Sequence, residues 1–100
     1  MLERDVEKRL IKPVRELGGL CLKFESPGYT GVPDRLLLFP GGRVVFVETK
    51  APGKTERPRQ EYVQGVLRRM GFTVYSSIDS RAKVAAVIED CRRLVYGEDV

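Results

Sequence analysis

Leu2, Val6, Leu10, Val14 and Leu17 recur at spacings of four, four, four and three. That period puts them on one face of a helix, and Gly18-Gly19 supplies its C-terminal stop. Pro13 falls inside the pattern and is expected to kink or split the helix. "LCLKFE" (Leu20 to Glu25) reads as a short strand, and "SPGYTG" (26 to 31) as a loop by its Ser, Pro and Gly content. Next come "RLLLF" and "VVFV", two apolar strands joined by Pro40-Gly41-Gly42. The polar run "APGKTERPRQ" (51 to 60) predicts an exposed basic loop. A helix follows over about Arg59 to Met70, with Tyr62, Val63, Val66, Leu67 and Met70 inward and Gly71 at its end. "FTVYSSI" is another strand. Asp79 or Ser80 can cap a last helix through Leu94, with Val84, Val87, Ile88, Cys91 and Leu94 on its buried side.

The order is helix, three strands, helix, strand, helix. Strands apolar on both faces are usually covered on both sides by helices, so the fold class is α/β with a central mixed sheet of about four strands. The passage from Val44 to Ile78 predicts a right-handed parallel crossover. No internal repeat or second domain is visible, and residues 1–100 are expected to form a single domain.

Composition narrows the chemistry. The chain has no histidine and only two cysteines, Cys21 and Cys91. Ser-His-Asp and Cys-His sites are excluded, and so are His-ligated and four-cysteine zinc sites. A metal here must be a hard cation on oxygen ligands, Mg²⁺ or Mn²⁺. Both cysteines lie in expected core elements and read as buried thiols. No apolar run approaches a membrane span and the N-terminus lacks a signal-peptide core, so an intracellular, cytoplasmic protein is expected, with no membrane partner. The net charge of +4 and pI near 9.3 are compatible with nucleic acid without requiring it.

Three charges interrupt the apolar hairpin at one end: Asp34, Glu48 and Lys50. If Pro40-Gly41-Gly42 is a three-residue loop, Phe39 faces Arg43 and Asp34 lies opposite Glu48. Opposed residues share a face, and Lys50, two residues on, points the same way. A two-residue loop would instead set Asp34 against Thr49 and scatter the cluster. Two close carboxylates repel unless a proton or a cation lies between them. Mg²⁺ typically takes one or two carboxylates with water and substrate phosphate, and Lys50 could orient or deprotonate a water or stabilise phosphoryl charge. The plainer alternative is a strand start at Asp34 and a solvated Glu48–Lys50 pair.

At Pro33-Asp34 and Glu48-Thr49-Lys50 the chain resembles the PD-(D/E)XK nuclease superfamily. More closely, "KFESPGYTGVPDR", "GGRVVFVETKAPG" and the polar segment holding Gln60 resemble the VRR-NUC family of virus-type replication-repair nucleases. The resemblance runs from the first helix to about Ile78. It implies a restriction-endonuclease-like core and a metal-dependent phosphodiesterase. Asp34, Glu48 and the backbone carbonyl of Thr49 would ligate Mg²⁺ or Mn²⁺, Lys50 would act on the attacking water, and Gln60 would stand beside the site. A glutamate of the first helix, Glu7 or Glu3, would approach the metal, with Glu7 preferred because it borders the apolar stripe. Arg57, Pro58 and Arg59 replace a more neutral run of many relatives.

Lys23, Tyr29, Lys54, Arg57 and Arg59 are the expected DNA contacts, reaching phosphates without reading bases. The few aromatics near these residues, Tyr29 in the loop and Tyr62 in the helix, argue against a single-strand stacking platform. The expected partner is double-stranded or branched DNA, with no nucleotide cofactor. Stand-alone members of the family are similar in size to Holliday-junction resolvases. The two-fold symmetry of a four-way junction then favours a homodimeric, structure-selective endodeoxyribonuclease. The alternatives are a nickase or flap-type repair nuclease and a non-catalytic DNA-binding module.

Overall fold

Val6, Leu10 and Val14 are fully buried on one side of α1 (Glu3–Glu16) in the computed structural model, which describes residues 2–97. The helix runs unbroken through Pro13 rather than splitting there. Proline this close to the C-terminus removes one hydrogen bond, and its own carbonyl still accepts from Leu17 N. Gly18, with φ of +82°, closes the helix by letting Gly19 N reach back to Val14 O.

Four strands follow the expected order: β1 (Leu20–Lys23), β2 (Arg35–Phe39), β3 (Arg43–Thr49) and, after α2 (Pro58–Arg69), β4 (Thr73–Ile78); α3 (Arg81–Tyr96) ends the fold. The sheet order is β1-β2-β3-β4. The first two pairings are antiparallel and β3–β4 is parallel, so the sheet is mixed. Phe39 pairs with Arg43, which makes the hairpin loop Pro40-Gly41-Gly42, the three-residue form. β1 stops at Lys23, two residues short of expectation, although Phe24 N still donates to Asp34 O.

One sheet face carries Leu37, Phe39, Val45, Val47 and Ile78 against α1 and α3, whose Val84, Val87 and Cys91 complete the core. The other face carries Phe46 and Val74, with Phe24 and Phe72 packed around Phe46 and α2 lying over β4. Both faces of β3 are therefore buried, which is why its sequence shows no polar alternation. Two helices are less deeply set than their patterns suggest. Tyr62 and Met70 of α2 are exposed rather than inward, and Leu94 sits at the rim of α3. In α2 only Val63 and Gln64 are buried, because the helix covers one edge of the sheet and not its middle. Both cysteines are free thiols: Cys91 is buried and Cys21 half-buried.

Candidate active site

The β2–β3 register runs to Arg35 opposite Val47, and one further step sets Asp34 against Glu48 at the end of the hairpin. Here the buried strand β3 carries Glu48, 3% exposed, Thr49, fully buried, and Lys50, also buried. Glu48 Oε2 is buried without a hydrogen-bond partner. Burial first, then the hydrogen bond that the protonated Glu48 carboxyl donates to Asp34 and the Asp34 charge, push the Glu48 carboxyl up to about 9. Glu48 thus keeps its proton near neutral pH, since a buried carboxyl close to a second carboxyl resists ionisation.

Asp34 has partners beyond Glu48. Thr49 donates to it twice, from N to Oδ1 at 2.7 Å and from Oγ1 to Oδ2 at 2.5 Å. These bonds fix the Asp34 carboxylate at the strand end and leave lone pairs on both oxygens free. The Thr49 side chain was not singled out in the sequence; a Thr beside an acid in a strand carries no distinctive signal.

Lys50 Nζ donates to Gln60 Oε1 at 2.8 Å, and the same oxygen accepts Arg57 N at 2.9 Å. Gln60 therefore does two jobs: it caps the N-terminus of α2 and tethers the ammonium of Lys50. The two first-helix acids separate clearly. Arg35 donates through Nε and Nη2 to Glu7 Oε2, at 3.1 and 2.6 Å, and Thr49 Oγ1 lies 3.4 Å from Glu7 Oε1. Glu7 is committed to that ion pair. Glu3 instead lines an open cleft of about 310 Å³ with Lys50, Ala51, Lys54, Thr55 and Arg57. Partial burial and the nearby Asp34 charge raise the Glu3 carboxyl above its ordinary value.

A bulge shapes the floor of this region. Val47 pairs with Tyr75 but Thr49 pairs with Ile78, so β4 has an extra residue beside Glu48. Ser77 absorbs it with φ of +53°, unusual for a residue with a side chain. Glu56 accepts from both the N–H and the hydroxyl of Ser77. Burial alone would raise the Glu56 carboxyl, but these two bonds outweigh it and hold it below the usual range. The basic loop is therefore anchored at its far end, a role that an acid in a Lys/Arg-rich stretch did not advertise. Glu56→Ala is expected to lower stability by about 1–3 kcal/mol, the usual cost of leaving buried donors unpaired. Hydrogen exchange at Ser77 N should accelerate in the variant; unchanged protection there would contradict the anchor.

Gln64, fully buried on α2, also went unnoticed in the sequence. Its Oε1 accepts from Ser76 Oγ at 2.8 Å, while its Nε2 has no partner. Among the expected DNA contacts, Lys54, Arg57 and Arg59 are exposed on the loop and on α2, whereas Lys23 lies at the end of β1 and pairs with Glu25 at 3.8 Å. Tyr29 lies on the 26–31 loop and packs against Arg59. Among the described residues no three acids or cysteines converge tightly enough to form a ready-made metal cage.

No protein-family profile matches the chain. A solved structure described as "VRR_NUC domain" superposes with a TM-score of 0.79 at 32% identity, covering 87% of this chain and 94% of that one. A phage protein named "Putative nuclease p44", from Acyrthosiphon pisum secondary endosymbiont phage 1, is 52% identical over 72 residues, 72% of this chain and 77% of its own length. The chain belongs to the VRR-NUC family of nucleases. The VRR-NUC core accounts for the α-β-β-β-α-β-α order and the mixed sheet.

Proposed function

We propose that this VRR-NUC chain is a Mg²⁺- or Mn²⁺-dependent, structure-selective DNA endonuclease, working as a homodimer on four-way junctions. The observation that carries the reading is the Asp34–Glu48 pair: two acids at the end of a buried strand, one with an unpartnered oxygen, beside a tethered lysine. A divalent cation satisfies what the protein leaves open there. Glu48, with its unpartnered Oε2, and Asp34, with its free lone pairs, would hold such a cation. Asp34, Glu48 and the backbone carbonyl of Thr49 are the ligands in this reading. Of the two helix acids, Glu3 is the one to approach the ion, because Glu7 is occupied by Arg35. Glu7 then braces the site by holding Arg35 and Thr49. When bound, the ion supplies charge stabilisation to the phosphoryl group and acidifies water.

The remaining work falls to the chain's own groups. Lys50, held by Gln60, orients the attacking water, and its charge favours the crowded phosphorus transition state. Lys54, Arg57 and Arg59 hold the DNA backbone by charge, so affinity should fall steeply with salt. No helix of the described residues is long and apolar enough to cross a membrane.

An uncovered sheet face supports the dimer. Leu20 and Leu22 pair with Leu38 and Leu36, and are 57% and 41% exposed on the face that α2 leaves open toward β1. Two copies joined there would cover an apolar patch and supply the two cuts a junction needs. The test is incubation with four-way junction, flap and linear duplex DNA in Mg²⁺, Mn²⁺ or EDTA, with light scattering across a concentration series. Metal-dependent cutting that favours the junction, by a dimer that Leu22→Glu converts to monomer, is the expected result. A monomer at every concentration and on junction DNA would defeat the resolvase reading and favour a nickase or flap nuclease. Absence of cutting on every DNA in either metal would favour a non-catalytic binding module.

A further inference from the structure

The loop of residues 26–31 and the start of α2 meet at a cluster that the metal site does not use. The Arg59 guanidinium lies over the Tyr29 ring, 4.6 Å from its centroid, and over the Tyr62 ring at 5.3 Å. Arg59 Nε donates to Thr30 O at 2.9 Å, which locks the cation between loop and helix. The fit is close: a Cβ at Gly31, where φ is +91°, would lie 2.8 Å from Arg59 Cγ. Yet the assembly is open to solvent, with Tyr29 43% and Tyr62 56% exposed. Among the described residues Arg59 forms no ion pair, so its charge is not neutralised by the protein.

Two aromatic rings held by a shared cation and still partly open to solvent are what a nucleotide base needs for stacking. The unneutralised guanidinium beside them is what its phosphate needs. The scarcity of aromatics in the sequence argued against such a platform; the fold removes that objection by bringing Tyr29 and Tyr62, 33 positions apart in sequence, onto one arginine. Arg59 directly precedes Gln60, which holds Lys50. The cluster therefore flanks the candidate active site.

We propose that Tyr29, Arg59 and Tyr62 form a platform that receives one unpaired nucleotide of a branched DNA, its base on a tyrosine ring and its phosphate on Arg59. The inference rests on the DNA-nuclease reading alone and adds to its substrate class the branches where base pairing is interrupted beside the cut, a four-way junction with opened pairs at its crossover included. Fully paired duplex offers no free base and gains nothing from the platform.

The test measures binding in EDTA, so it does not depend on cleavage. The probes are a linear duplex and the same duplex carrying a short single-stranded branch, with 2-aminopurine at the first unpaired position. The wild type should bind the branched probe about tenfold more tightly than the duplex, a modest return for one stacked base, and should quench the 2-aminopurine. Tyr62→Ala should lower that ratio toward one and abolish the quenching, with duplex affinity little changed, and Tyr29→Ala should lower the ratio as well. Tyr62→Phe should keep both, and Tyr62→Leu, which retains bulk but not the π-face, should lose both. A purely structural fastening of loop to helix would instead lower the melting temperature and weaken both probes equally. Equal affinity of the wild type for both probes, or a ratio that survives the alanine and leucine variants, would overturn the proposal. Failure of the nuclease reading is seen separately, as no cutting of four-way junction, flap or duplex DNA in Mg²⁺ or Mn²⁺.

Discussion

Alanine in place of Asp34 or Glu48 is expected to reduce strand cleavage by about a thousandfold or more, the scale seen when a group central to the chemistry is removed. Affinity for DNA should stay near wild type or rise. The reason is the proposed division of labour, in which phosphate contacts by Lys54, Arg57 and Arg59 would supply binding and the acid pair would act in the chemical step. The Asp34 variant also loses the acceptor of two Thr49 hydrogen bonds and should be the less stable of the two. Lys50→Ala should impair cleavage as well, and Gln60→Ala less so, because Gln60 acts through Lys50. Single-turnover cleavage together with binding in EDTA reads both quantities. Cleavage at the wild-type rate by either acid variant would show that the pair is not the catalytic centre.

The second large effect concerns stability without metal. The Glu48 carboxyl stands at about 9 in the folded chain against 4.5 ordinarily. Between those values the unfolded chain gives up its proton and the folded chain keeps it. Stability therefore declines as pH rises from about 4.5 towards 9, and the contribution is fully present only below that window. Glu48→Gln keeps the shape and removes the titration. At pH 8 it should melt at least about 5 °C above the metal-free wild type, roughly 1 kcal/mol for a domain of this size, and its profile should be flatter. Mg²⁺ or Mn²⁺ should raise the wild-type melting temperature at pH 8 and leave the Gln variant nearly unchanged. A wild type whose metal-free stability rises through this window would contradict the buried, protonated Glu48.

The fold was largely legible because its signals are local and strong. The four-residue period of α1, the doubly apolar β2 and β3 and the Pro-Gly-Gly turn each leave few alternatives, and the turn length fixed which residues share a face. The site was legible in part for the same reason: register alone brings Asp34 toward Glu48. What escaped depends on contacts between elements distant in sequence. The sequence favoured Glu7 over Glu3 because Glu7 borders the apolar stripe, but it could not show that Arg35 would engage it from the neighbouring strand. Tyr62 and Met70 fit an amphipathic pattern, yet α2 sits over the sheet edge and leaves them in solvent. Glu56 and Gln64 gave no signal because their partners, Ser77 and Ser76, lie at an irregularity of β4 that no periodicity announces. Tyr29 and Tyr62 looked too sparse to form a surface until the loop closed on the helix.

The central claim is that the acid pair at the end of the hairpin, with Glu48 buried, is a cation site held closed by the Glu48 proton. Calorimetric titration of the chain with Mn²⁺ at pH 7.5, repeated in buffers of different ionisation enthalpy, tests it most directly, since metal binding to a protonated ligand must release that proton. The account predicts saturable binding with release of about one proton per ion, lost in both Glu48→Gln and Asp34→Ala. Binding that releases no proton, or that persists undiminished in either variant, would place the metal elsewhere and contradict the account.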